Sequence, residues 1–190
     1  MNSLSPAEII RLFEEPSSDR RTLKKRLTAN GQADSIVAAL RLSQSILVRQ
    51  ILCDVLGDRH EWCAAEALTV CLADPEPSVR SAAADALAKI QNPQAGEPLL
   101  ERFQTSEQDL GVRRMLAVAL GAVRCVAAVP SLIDSLRHAD ASLRGSAAWA
   151  LGAMGSKVSI PALQEAIAIE TSPYAVQRMH EALQILHGVP

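Results

Sequence analysis

The sequence predicts an all-α fold, an α-α superhelix of about five helical hairpins with terminal capping helices, and three observations predict it. Apolar residues make up 48% of the chain and aromatic ones only 3%. Ala and Leu dominate, which suits closely packed helices, whereas a sandwich or barrel would draw on Val, Thr, Tyr and Phe. A leucine recurs at Leu56, Leu87, Leu120, Leu151 and Leu183, at spacings of 31, 33, 31 and 32 residues, and such self-similarity marks an internal repeat. Between these anchors the apolar residues fall at helical spacing, as in Val79, Ala82, Ala83, Ala86, Leu87 and Ile90.

The register holds on both sides of the anchor. Eight residues before the first four anchors stand Val48, Val79, Val112 and Leu143, each followed by an arginine: Arg49, Arg80, Arg113 and Arg144. Twelve residues after them stand Leu68, Leu99, Leu132 and Leu163, and sixteen after stand Leu72, Phe103, Leu136 and Ile167. A first helix therefore carries an apolar stripe through its anchor. At Cys53, Ala84, Ala117 or Ala148 it has a second, low-relief side where a neighbouring repeat can approach. A helix buried on two sides belongs to a stack, and the second helix of each unit closes an αα-hairpin.

The breaks are signalled too. Gly57, Gly121 and Gly152 follow three of the anchors and are expected to end the first helices in left-handed conformations. Asn92 and Pro93 serve the unit that has Ala88 instead. Asp74 with Pro75, Asp109 and Asp140 precede the next first helices, where a short acceptor can cap free backbone donors. Pro130 and Pro161 fall early in second helices, where a missing donor does little harm. First helices are expected over residues 45–56, 77–90, 109–123, 141–154 and 173–187, and second helices over 60–72, 94–104, 126–137 and 158–169. Residues 1–43 read as a degenerate amino-terminal cap: a short helix from Pro6 to Glu14, then a hairpin on Leu23, Leu27, Ile36, Val37 and Leu40. The repeats then occupy about 44–73, 74–106, 107–138 and 139–170, with a closing helix at 171–187, as one continuous domain.

A formal net charge of −2 provides no global basic field for nucleic acid or an anionic membrane. The local exception is residues 19–26, with five bases and one acid in eight positions; on an exposed cap helix such a run serves solubility or a nucleic-acid contact. No amino-terminal apolar core precedes a cleavage signal, and no apolar run approaches the length of a membrane span, so a cytoplasmic protein is expected. Cys53, Cys63, Cys71 and Cys125 form no CxxC pair and read as reduced packing residues.

The phrases DPEPSVRSAAADALAKI, GVRRMLAVALGAV and ASLRGSAAWALGAMGSKVSIPALQEAI resemble the HEAT-like repeats of the phycobilin-lyase type, over roughly residues 44–187. The resemblance is specific for the repeat and poor for the activity, since one fold hosts many functions. It implies a ladder of Arg and Asp between repeats, carried here to Arg49, Arg80, Arg113 and Arg144 with Asp74, Asp109 and Asp140, and read as structural. It also permits bilin attachment, as an accessory subunit of a heteromeric lyase. Two pairs, His60 with Glu61 and His180 with Glu181, are similar to the iron-binding pairs of deoxyhypusine hydroxylase, which is built from such repeats. That match fails on position, because one pair begins a second helix and the other lies three residues before an anchor, nearly four units away. His60 and Cys63 offer two metal ligands where zinc wants four. No nucleophile elbow or phosphate-cradling glycine loop is present. No catalytic residue, metal or cofactor is expected.

The remaining signal lies on the second helices, which in HEAT-like solenoids line the concave face. Ten and fourteen residues after each anchor stand Glu66 and Val70, Glu97 and Glu101, Pro130 and Asp134, Pro161 and Glu165. With Arg137 and apolar neighbours such as Leu100 and Ile133, this acidic ridge reads either as a protein-binding groove or as an ordinary solvated face. An acidic ridge repels phosphates, which argues against a helical-repeat nucleic-acid-binding protein. The expected function is a non-enzymatic protein–protein interaction scaffold whose partner is basic or of mixed charge. Glu66, Glu97, Glu101, Asp134, Arg137 and Glu165 are its candidate contacts.

Overall fold

The structure, a computed structural model, describes residues 4–15, 19–105 and 107–188. Among the described residues there are twelve α-helices and no strand. They fall into two compact units, Met1–Asn92 and Pro93–Pro190.

The first unit opens with α1 (Pro6–Glu14). It starts there because Ser5 and Glu8 form a reciprocal capping box and Pro6 needs no donor at the first position. Ile9 and Phe13 are its buried face. In α2 (Arg20–Asn30), Asp19 accepts the amides of Arg21 and Thr22, and only Leu23 and Leu27 are buried. Then come α3 (Ala33–Leu42), α4 (Ile46–Asp58), α5 (Ala65–Cys71) and α6 (Pro77–Ile90). The first helices α4 and α6 lie side by side, α5 packs on α6, and α3 packs on α4. The stripe Val48, Leu52, Val55 and Leu56 is fully buried, as are Val79, Ala83, Ala86 and Leu87.

The second unit contains α7 (Gly96–Gln104), α8 (Leu110–Ala122), α9 (Val129–Ser135), α10 (Ala141–Ala153), α11 (Ile160–Ile169) and α12 (Pro173–His187). Its first helices α8, α10 and α12 pack in sequence, with α10 between the other two. That placement explains why α10 buries residues nearly all round, including Ser146, Ala148 and Gly152 as well as the stripe through Leu143, Ala147 and Leu151. Small side chains on two faces let two neighbours approach at once.

Two features differ from the sequence expectation. The second helices do not run as α-helix from their expected starts; each opens with a tight 3₁₀ turn, at Trp62–Ala64, Pro93–Ala95, Val126–Ala128 and Lys157–Ser159. Moreover, Gly57, Gly121 and Gly152 are helical and not left-handed. The left-handed residue stands four positions after the anchor, at His60, Gln91, Arg124 and Gly155. The glycines serve close packing instead. A Cβ on Gly57 would lie 2.7 Å from the Cα of Ala86, one on Gly121 2.7 Å from the Cα of Ala150, and one on Gly152 2.9 Å from the Cα of Ala182. Backbone rather than flexible side chain faces each of them, so no residue with a Cβ fits without a shift of the neighbouring first helix.

Candidate functional site

The arginine that follows each leading Val or Leu sits in the first turn of its helix, and at Arg49, Arg80 and Arg144 the guanidinium reaches back over the loop before that helix. In α4, Arg49 Nη1 donates to the carbonyls of Ser43 and Gln44, while Nε and Nη2 grip the Asp74 carboxylate at 2.7 and 3.1 Å. In α10, Arg144 Nη1 donates to the carbonyls of His138 and Ala139, and Nε and Nη2 grip Glu170 at 2.5 and 2.6 Å. These forks are largely dry: the acidic side chains are 9% and 2% exposed. Hydrogen bonds from Arg144, with those of the Ser172 and Thr171 amides, hold the Glu170 carboxyl down at about 2. In α6, buried Arg80 makes the same pair of Nη1 bonds, to the carbonyls of Asp74 and Pro75.

Of the acids expected from Asp spacing, Asp74 is a ladder partner and the other two are not. Asp109 and Asp140 are helix caps, accepting the amides of Val112 at 2.9 Å and Leu143 at 2.7 Å. The ladder residue lies two positions before the cap. In that place stand Ser43, Asp74, Glu107, His138 and Glu170, and each accepts the amide of the cap residue with its side chain. Residue type varies along this series, so composition hid it; the constant offset from the helix start was the signal. Glu107 also binds Arg102, at 3.1 and 2.8 Å. Arg113, in α8, lacks the carboxylate grip among the described residues: its buried Nε has no hydrogen-bond partner there, and its guanidinium lies over the Phe103 ring, 5.6 Å from the centroid.

The ridge residues are all exposed: Glu66 on α5 in the first unit, and Glu97 and Glu101 on α7, Asp134 on α9, Arg137 in the turn after α9, and Glu165 on α11 in the second. In the second unit Gln104 donates to Ser131 at 2.9 Å and Arg137 to Glu165 at 3.0 Å, so side chains tie the second helices to one another. Arg137 thus partly neutralises Glu165, at an exposed pair of small energetic weight.

The other sequence candidates are occupied by structure. Lys24, in the basic run, pairs with Asp54 and Asp58 at 3.1 and 3.5 Å, and Arg20 donates to the carbonyl of Phe13. Arg21, Lys25 and Arg26 remain exposed. His60 is the left-handed turn residue, with Nδ1 2.8 Å from the Lys89 carbonyl. His180 is exposed on α12. Among the described residues no group of three His, Cys, Asp or Glu side chains is placed to hold a metal ion. Cys53 is buried, and its contact with Cys71 together with burial pushes its thiol up. Among the described residues no helix is long and apolar enough to cross a membrane.

Helix pairs with this register and close first-helix packing define a HEAT-repeat protein. The sequence profile of HEAT repeats matches residues 33–111 and 106–184, and the chain belongs to that family. No curated protein matches the sequence. Among solved structures, the complex of CpcE and CpcF of phycocyanin lyase from Nostoc sp. PCC7120 is similar over 100% of this chain and 96% of that one, at 18% identity and a TM-score of 0.53. YibA of Escherichia coli is similar over 97% and 93%, at 18% identity and 0.59. An engineered protein matches over 99% and 100%, at 20% identity and 0.65. At these identities the likeness establishes the HEAT-like all-α superhelical fold alone.

Proposed function

We propose that the chain is a non-enzymatic binding scaffold of the cytoplasm, whose second helices in the unit Pro93–Pro190 present an acidic ridge to a basic or mixed-charge segment of a protein partner. One observation carries this reading: Glu97, Glu101, Asp134 and Glu165 are exposed on three successive second helices that side-chain bonds link together. Arg137 is the cation among these candidates and is engaged by Glu165. Such a surface steers a basic segment by charge and weakens with salt. Glu66 supplies the matching acid on the second helix of the first unit. Phosphate backbones would be repelled there, so nucleic acid is disfavoured. The partner is recovered by affinity purification on the full chain. Reversing Glu97→Lys and Glu101→Lys together should then weaken its binding about tenfold or more. Undiminished recovery on the double variant removes the ridge as the site.

A second reading, an accessory subunit of a bilin lyase, draws on the repeat resemblance and on the full-length fold likeness to the CpcE and CpcF complex. Coexpression with a bilin and its acceptor protein should then change the acceptor's visible absorbance. An unchanged spectrum sinks this reading.

A further inference from the structure

The Arg49 fork on Asp74 has a second effect, one turn away on each side of it. Cys53 follows Arg49 by four residues on α4 and so shares its face. Cys71 precedes Asp74 by three, and its carbonyl accepts the Asp74 amide at 3.1 Å. The fork therefore sets the end of α5 against the middle of α4, and the two side chains that meet there are both thiols. At the corresponding places in the later repeats stand Ala84 and Arg102, Ala117 and Ser135, and Ala148 and Ala166. Packing thus asks for a small residue on the first helix and for sulfur on neither. Cys53 is completely buried, whereas Cys71 is the last residue of α5 and partly exposed. Contact with Cys53, and then the Arg49 guanidinium, pull the Cys71 thiol below its ordinary value, against partial burial and the Asp74 carboxylate. The two sulfurs are therefore unlike: the one that reaches solvent is favoured as thiolate, the reactive form, and the one behind it stays protonated.

We propose that this pair is an oxidation site for small hydroperoxides, in which Cys71 takes the peroxide oxygen and Cys53 resolves it as a disulfide. The Cys71 thiolate attacks the terminal peroxide oxygen. The S–O bond forms, the O–O bond breaks, and the leaving alkoxide or hydroxide takes up the proton that the thiol had released. Cys71 is then a sulfenic acid. The Cys53 sulfur attacks the Cys71 sulfur next; the S–S bond forms, the S–O bond breaks, and hydroxide departs as water with the Cys53 proton. Two thiols have lost two electrons, and one hydroperoxide has become an alcohol and water. A dithiol reductant restores the pair. Contact between the sulfurs matters here, because a resolving thiol already in place captures the sulfenic acid before a second peroxide carries it to the irreversible sulfinic stage. The new bond would tie α4 to α5 beside the Arg49 fork. It uses no atom of the acidic ridge and does not rest on it.

The test is peptide mapping of the reduced full chain after brief treatment with hydrogen peroxide, with the remaining thiols blocked by N-ethylmaleimide. A link between Cys53 and Cys71, lighter by two hydrogens and reversed by dithiothreitol, should form first, while Cys63 and Cys125 stay alkylated. Exposure alone would give another order, since Cys63 is the exposed cysteine. In urea the fold no longer pairs the two sulfurs, and Cys63 lies nearer to each of them along the chain, so the link should pass to Cys63. Cys53→Ser should leave Cys71 as a sulfenic acid that dimedone traps. Cys71→Ser should slow peroxide consumption about tenfold or more and leave Cys53 reduced. The proposal is overturned by Cys63 reacting first in the folded chain, by the absence of a link between Cys53 and Cys71, by the same link dominating in urea, or by Cys71→Ser consuming peroxide at the parent rate. The parent maps, folded and in urea, decide the matter even where a variant fails to fold.

Discussion

Arg144 and Glu170 hold the loop before α12 through a fork that also engages the loop before α10, so one buried pair braces both ends of a repeat. Replacing Glu170→Ala would strand a guanidinium whose side chain is 16% exposed, and the expected cost is about 3 kcal/mol in urea unfolding. A smaller loss, near that of a surface pair, would mean water replaces the acid at no cost. The pH dependence has a definite sign. The Glu170 carboxyl is depressed from 4.5 to about 2, so its contribution is fully present above 4.5 and is lost as pH falls toward 2. The urea midpoint should drop through that window, and Glu170→Gln should flatten the drop; equal slopes for the two proteins would remove Glu170 as a source. Asp58, held low by Lys89 and Lys24 against the opposing effect of its burial, adds a loss of the same sign.

At the level of the helix, the two kinds of glycine make opposite demands. Gly121 is helical and faces backbone at 2.7 Å, whereas Gly155 has φ +70° and nothing within 4 Å of a built Cβ. Gly121→Ala should therefore cost about 2 kcal/mol by overpacking between α8 and α10. Gly155→Ala should cost about 1 kcal/mol, from left-handed backbone alone. Thermal or urea unfolding of the two variants reads the order directly, and a larger loss at Gly155 would contradict it. Second helices are the looser elements: α5 and α9 have seven α-helical residues each after their 3₁₀ turns, and their outer faces are wet.

Across the whole molecule, repeat proteins are stabilised by sums of neighbour contacts, so protection should follow burial and not position in the chain. Hydrogen exchange read by mass spectrometry should be slowest in α4, α6, α8 and α10, and fastest in α1 and α2, which bury two side chains each. Exchange in α2 as slow as in α10 would refute that ranking. The acidic ridge belongs to this scale as well, because it exists only when successive second helices are stacked. The binding proposed for it should fall with added salt, and a salt-independent affinity would point to the apolar neighbours Leu100 and Ile133 instead.

The helices, their order and their buried stripes were readable from residue spacing. A period of 3.6 within elements, and of about 32 residues between anchors, is imposed on side chains by any stack that must bury one face per helix. The helix from Pro6 to Glu14 was also expected, and the structure adds the capping box of Ser5 and Glu8 that fixes its start. The roles of Gly57, Gly121 and Gly152 were not readable. A helical glycine and a left-handed glycine look alike in sequence, and what separates them is the backbone of a helix some thirty residues away. Asp74 was named from the sequence, but Glu170 escaped for the same cause: unlike an N-cap Asp, it is selected by what crosses the repeat and not by its own turn. Along the chain His138 in that place serves only its own turn, where it accepts the Asp140 amide. That Arg113, the arginine in register with it, has a buried Nε without a partner is visible only in the fold, because charge pairing is a property of distance in space.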